Sequence, residues 1–201
     1  LLRDIDIAVQ PGEVLGLLGP NGAGKTSLLR VLAGVLDVDA GETLIGGQQI
    51  SSVSREDRAR SIVYLAQDAE VHWPLSVASV VALGRLPHRR GIAALSPVDH
   101  DAIVQALTAT QTLQLADRRL NTLSGGERMR VLVARMLATQ ADVLLADEPV
   151  TGLDPFFQLE FMDLFTNEAA AGRGVVLVLH DLALALRYCD RVVLLDDGQV
   201  V

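Results

Sequence analysis

Two kinds of hydrophobic pattern run along the chain. Asp4, Ile5, Asp6, Ile7, Ala8 and Val9 alternate between polar and apolar, the period of a strand with one wet face, and Pro11-Gly12 follows as a turn. This alternation predicts that an antiparallel edge strand opens the domain. Four other segments, residues 14–18, 143–146, 175–179 and 192–195, are unbroken apolar runs of strand length. Such runs suit parallel strands buried on both faces. Helical periods separate them. Leu28, Leu29 and Leu32 share a face that ends at Gly34, and Met129, Leu132, Val133, Met136 and Leu137 recur at i, i+3, i+4, i+7 and i+8. The alternation predicts an α/β fold with a mostly parallel sheet and an antiparallel region near the N-terminus. Residues 76–138 read mostly as helix, interrupted from Pro87 to Gly91, and are too long for a simple crossover between neighbouring strands. An inserted helical subdomain is expected there, within a single domain spanning residues 1–201.

Composition narrows the function classes. A chain of 201 residues that is 50% hydrophobic can bury a substantial core. Its net charge of -8 argues against a surface that coats phosphates, so no nucleic-acid partner is expected. Cys189 is the only cysteine, which allows no internal disulfide and fits a reducing compartment. No apolar run approaches the eighteen or so residues of a spanning helix. No signal-peptide pattern opens the chain, which begins inside a strand-like pattern, so a domain trimmed at both ends is expected.

The chemistry starts after the first apolar run. Gly19, Pro20, Asn21, Gly22, Ala23, Gly24, Lys25 and Thr26 match G-x-x-x-x-G-K-[ST] between a predicted strand and a predicted helix. Glycines at these positions let backbone N–H groups curl around a β-phosphate, and the helix N-terminus adds its positive end. Lys25 reaches β- and γ-phosphate oxygens, Thr26 supplies a magnesium ligand, and Ser27 in the same turn is expected to join the phosphate contacts. Lys25 is also the only lysine beside sixteen arginines, so the one compact ammonium stands where the cradle needs it.

The run 143–146 ends in Asp147 and Glu148, which a parallel sheet delivers to the ligand edge at its strands' carboxyl ends. Beside a phosphate loop, Asp147 would hold Mg2+ and Glu148 would polarise the attacking water; a solvated strand end is the plainer alternative. His180 closes another apolar run and should reach the same edge, either to bond a γ-phosphate or as a structural histidine. Asp154 precedes Pro155 and also reads as a helix N-cap. Leu123-Ser124-Gly125-Gly126-Glu127 has the form of a capping box, with Ser124 at the N-cap and Glu127 three residues on. A cap does not explain two glycines in a first helical turn, where each costs about 1 kcal/mol relative to alanine. They make sense if a phosphate approaches closely.

In these motifs and their order, the whole chain resembles the ABC ATPases. Residues 19–26 look like the Walker A loop, Gln67 like the Q-loop glutamine, residues 123–127 like the signature motif and residues 143–148 like Walker B. Residues 151–154 look like the D-loop and His180 like the switch histidine. The resemblance implies a P-loop NTPase core that binds ATP and Mg2+ and forms a head-to-tail dimer of two copies. Each ATP would lie between one copy's Walker A and the other's Ser124, Gly125 and Gly126, with Asp154 also among the nucleotide-binding residues. Gln67 would touch the metal and link the nucleotide to the helical subdomain, which docks on transmembrane permease subunits. The chain departs from the commonest pattern at Met129, Val150 and Ala66, none of which is a catalytic group. The family also stacks adenine on an aromatic upstream of Walker A. Here none precedes Tyr64, so that residue is expected before Leu1.

Residues 72–77 and the Gly84-Arg85-Leu86-Pro87-His88 stretch are similar to the importer ATPases for iron-siderophore, haem and cobalamin complexes, which work with a substrate-binding protein through the permease. That resemblance implies a peripheral protein on the cytoplasmic face of the membrane. The plainer reading of the stretch is a buried helix and an exposed turn with solvated Arg89 and Arg90. Metal binding by His72 or His88 is not expected, because neither has ligands at zinc-like spacing. Two rivals are another importer or exporter ATPase, and a soluble nucleic-acid-linked ATPase, which would carry tandem cassettes or basic insertions. A binding-only module would have lost Glu148 or His180.

Overall fold

The computed structural model describes residues 2–67, 74–89 and 94–201. The first half runs β1 (Val14–Leu18), α1 (Lys25–Leu32), β2 (Leu44–Ile45), β3 (Gln48–Gln49), α2 (Arg55–Ser61) and β4 (Ile62–Leu65). It continues with α3 (Val77–Ala82), α4 (Pro97–Ala109), α5 (Gly125–Ala138) and β5 (Val143–Asp147). The chain then adds α6 (Pro155–Ala170), β6 (Gly174–Val178), α7 (Leu182–Tyr188), β7 (Arg191–Asp196) and β8 (Gln199–Val200).

The apolar runs pair as parallel strands in the order β4-β5-β6-β1-β7, and β8 adds antiparallel to β7. Successive side chains on a strand leave on opposite faces, so each run feeds two core layers. Val14, Leu18, Leu144, Ala146, Val175 and Leu177 pack toward the helices that include α5, α6 and α7. Leu15, Leu17, Leu145, Val176 and Val178 pack on the other face with Leu28 and Leu29 of α1. Every element described between β4 and β5 is helical, but the core is continuous through it. Val131, Val133, Ala134 and Ala138 are buried along with Leu132, Met136 and Leu137, so the second half of α5 is buried on nearly every side, enclosed by α3, α4 and β4.

The structure corrects several expectations. Residues 4–9 form no strand: Ile5, Ile7 and Val9 pack inward as the alternation predicts, but the segment is tied only at separate points, such as Arg3 N–H to Gly198 O at 2.8 Å and the Arg191 guanidinium to Ala8 O. Periodicity reports which side chains face inward, and a ladder also needs a strand edge in register. The N-terminal half's antiparallel pair is instead β2 with β3, joined through Gly46 and Gly47, both at positive φ. β7 is fully buried on one face only, through Val193 and Leu195; on the other, Val192 is half-buried against the core and Leu194 is exposed. Pro87 does not open a loop but lies in a 3-10 helix, Leu83–His88, where Arg85 is buried. His72, Trp73, Arg90 and Gly91 fall outside the described residues.

Candidate functional site

The loop between β1 and α1 has backbone demands that its glycines meet. Gly19 has φ 145°, and a Cβ there would stand 2.0 Å from the Leu195 carbonyl oxygen, so no side chain fits. Gly24, at φ 102°, is the N-cap of α1 and supplies no side chain to the helix's first amides, which are left to meet an anion. Gly22, at φ 84°, has open space where a Cβ would point. Lys25 is buried, and its Nζ donates to the carbonyls of Gly19 at 2.8 Å and Pro20 at 2.9 Å. Two of three ammonium hydrogens thus brace the loop, and the third remains for a phosphate oxygen.

Strand order assembles the rest. β5 lies between β4 and β6, with Leu65 opposite Ala146 and Val178 opposite Asp147. Continuing that register past the strand ends brings Gln67, Glu148 and His180 together. Gln67 Nε2 donates to Glu148 Oε2 at 2.8 Å, and His180 Nε2 lies 2.5 Å from Glu148 Oε1. A carboxylate only accepts, so this contact places a proton on Nε2. Thr151 Oγ1 also donates to Glu148 Oε2, at 3.2 Å. Glu148 sits at φ 54°, a left-handed conformation that costs a non-glycine residue roughly 1–2 kcal/mol. Three side chains hold it in that orientation at the sheet's carboxyl edge.

Asp147 is 1% exposed. Its Oδ2 accepts from the Tyr64 hydroxyl at 3.4 Å, and its Oδ1 is buried with no hydrogen-bond partner among the described residues. Burial pushes its carboxyl above the usual range, the nearby Thr26 hydroxyl opposes this, and the Glu148 charge adds to it. An unpaired buried carboxylate oxygen is costly, and a cation beside Asp147 and Thr26 would relieve both burial and repulsion. The residues therefore fit a divalent ion.

Ser124 caps α5. It accepts from Glu127 N–H at 3.3 Å, and Glu127 Oε2 accepts from Ser124 N–H at 2.8 Å, which holds the Glu127 carboxyl below its usual range. The glycines behind it differ. Gly126 packs against Leu153, whereas Gly125 has no left-handed φ and nothing within 4 Å of where a Cβ would point. Asp154 is the N-cap of α6, accepting from Phe156 N–H at 3.1 Å and Phe157 N–H at 3.3 Å. Two contacts escaped the sequence reading: Thr151 on Glu148 and Tyr64 on Asp147. The first is a local contact in the turn after β5, three residues on; the second depends on the β4–β5 register, for which the sequence carries no signal.

The family model for ABC transporters matches residues 2–151. Over 204 residues the chain is 41% identical to the hemin import ATP-binding protein HmuV of Pseudomonas entomophila, covering 99% of this chain and 78% of that protein. It is 39% identical over 201 residues to the cobalamin import ATP-binding protein BtuD of Halobacterium salinarum, covering 100% of this chain and 50% of that protein. Among solved structures, a dimeric bacterial ABC transporter cassette superposes with a TM-score of 0.88 at 27% identity, over 99% of this chain and 88% of that one. The chain belongs to the ABC transporter family. It is the ATP-binding cassette of that family, an ATPase. No helix among the described residues is long and apolar enough to cross a membrane.

Proposed function

We propose that this cassette hydrolyses MgATP as half of a head-to-tail dimer and powers an importer of iron-siderophore, haem or cobalamin complexes. The observation that carries the catalytic reading is Glu148, held by Gln67 and His180 at the sheet edge that also bears the phosphate loop. In this reading the amides of residues 19–27 and the Lys25 ammonium bind the β- and γ-phosphates. Thr26 and Asp147, with Gln67 close by, would hold Mg2+, whose charge neutralises the transferred phosphoryl group. Glu148 orients the attacking water and draws its proton, and His180 steadies Glu148 and reaches toward the γ-phosphate.

Gly125 supports the shared site. Nothing among the described residues asks for glycine there, whereas a phosphate arriving from a second copy would. Ser124, Gly125 and Gly126 then complete the partner's site, with Asp154 among the nucleotide-binding residues. Residues 76–138 form the helical subdomain that meets the permease, where an apolar cleft of about 380 Å³ opens between Ala59 and Ile62 on one side and Leu86, Pro87 and Met136 on the other. The cargo class rests on the 84–88 stretch and on relatives named for hemin and cobalamin import. In this reading the chain works on the cytoplasmic face of a membrane, with a substrate-binding protein acting through the permease.

Mixing variants tests the shared site. With Glu148→Gln in both chains to stop hydrolysis, Lys25→Ala and Gly125→Asp homodimers should each fail to trap ATP, while a mixed dimer has one intact pair of half-sites. Mixtures should trap nucleotide at about one site per dimer, because each site needs both halves. No trapping despite proven subunit exchange refutes the composite site. For the cargo, deleting the gene should impair growth on haem, cobalamin or iron chelates, and a defect confined to sugars or amino acids refutes that assignment.

A further inference from the structure

Tyr64 is the first aromatic residue in the chain, and it stands on β4 where the sheet meets α1. It pairs in register with Leu145, and Asp147 lies two residues further along β5, on the same face. A tyrosine reaches such a diagonal neighbour. Its hydroxyl meets Asp147 Oδ2 at 3.4 Å. Thr26 and Arg30, four residues apart on α1, face the same place: Thr26 lies against Asp147 and the Arg30 guanidinium beside the Tyr64 hydroxyl. The two carboxylate oxygens are therefore treated differently. Oδ2 has a protein donor and Oδ1 has none among the described residues.

We propose that Tyr64 is a positioning residue for the divalent cation: by donating to Oδ2 it holds the Asp147 carboxylate in one rotation and leaves Oδ1 for the metal. This rests on the reading of Asp147 as the residue that holds Mg2+. A carboxylate ligand is oriented by its outer hydrogen bonds, and losing such a partner typically weakens metal binding about 10- to 100-fold. At 3.4 Å the bond is long, which places Tyr64 near the low end, about tenfold.

The test uses binding in place of turnover. Glu148→Gln protein at saturating ATP is melted while Mg2+ is titrated from an EDTA baseline, and the Mg2+ concentration giving half of the thermal shift is recorded. Tyr64→Phe, which removes one oxygen and keeps the ring, should raise that midpoint about tenfold and leave the ATP-induced shift in EDTA unchanged. Asp147→Asn should raise the midpoint further, and adding Tyr64→Phe to it should change nothing more, because both act through the same carboxylate. An unchanged midpoint in Tyr64→Phe, whether or not the melting temperature itself falls, overturns the proposal provided that Asp147→Asn moves it. If Asp147→Asn leaves the midpoint unmoved as well, the metal reading of Asp147 fails together with the proposal.

Discussion

Arg85 offers a sharp energetic test, because the stretch that marks the transporter type is built around it. It is 3% exposed, and its guanidinium donates to Asp99 Oδ1 at 2.8 Å, the Ala138 carbonyl at 2.8 Å and Gln140 Oε1 at 2.9 Å. One side chain thereby ties the 83–88 turn to the start of α4 and caps the end of α5. Gly84 lets the turn come this close, since a Cβ there would stand 2.3 Å from the Arg135 carbonyl oxygen, and His88 adds a contact to the Thr139 carbonyl at 2.7 Å. Arg85→Met keeps much of the volume but strands the Asp99 carboxylate and two acceptors. Breaking a buried pair from one side costs about 3–5 kcal/mol. At roughly 2.1 cal/mol/K per residue over a chain this size, about 4 kcal/mol lowers the melting temperature by about 10 °C. Far-UV circular dichroism during heating measures this. Asp99→Asn removes the stranded charge but keeps an acceptor for Ser96 N–H, so the double variant should recover about 2 kcal/mol of the loss. The pH dependence has a definite sign. Arg85 first, then Ser96, hold the Asp99 carboxyl well below the usual carboxylate range. The stability this contributes is fully present above the unfolded value of 3.8 and is lost as pH falls below it toward the folded value. Arg85→Met should flatten that acid slope. A drop under about 2 °C, or a double variant no better than the single, would refute Arg85 as the tie.

Two further outcomes concern the catalytic edge. Glu148→Gln should keep MgATP binding while slowing turnover by about 10²- to 10⁴-fold, the usual loss for a general base, and wild-type turnover would remove Glu148 from that role. Asp147→Asn should raise the melting temperature of the nucleotide-free protein at neutral pH. Burial and Glu148 raise the Asp147 carboxyl, so the folded chain binds its proton more tightly than the unfolded one. Stability therefore falls as pH rises from 3.8 through the raised value. An amide escapes that loss, and equal melting temperatures at neutral pH would count against a strained carboxylate.

Much of this protein was legible in the chain itself because the deciding interactions are local. The phosphate loop needs glycine torsions and a lysine at fixed spacing, the caps at Ser124 and Asp154 act over three residues, and the buried strands are unbroken apolar runs. What tertiary structure decided is everything that depends on strand order and register. Only the placement of β5 between β4 and β6 brings Gln67 and His180, 113 residues apart in sequence, onto the two oxygens of Glu148. Register alone puts the Tyr64 hydroxyl on Asp147. Packing likewise made Arg85 the buried tie between α4 and α5, and turned Ile5, Ile7 and Val9 inward without a strand partner among the described residues. Hydrophobic period specifies which side of an element is buried, but it carries no information about which neighbour lies there.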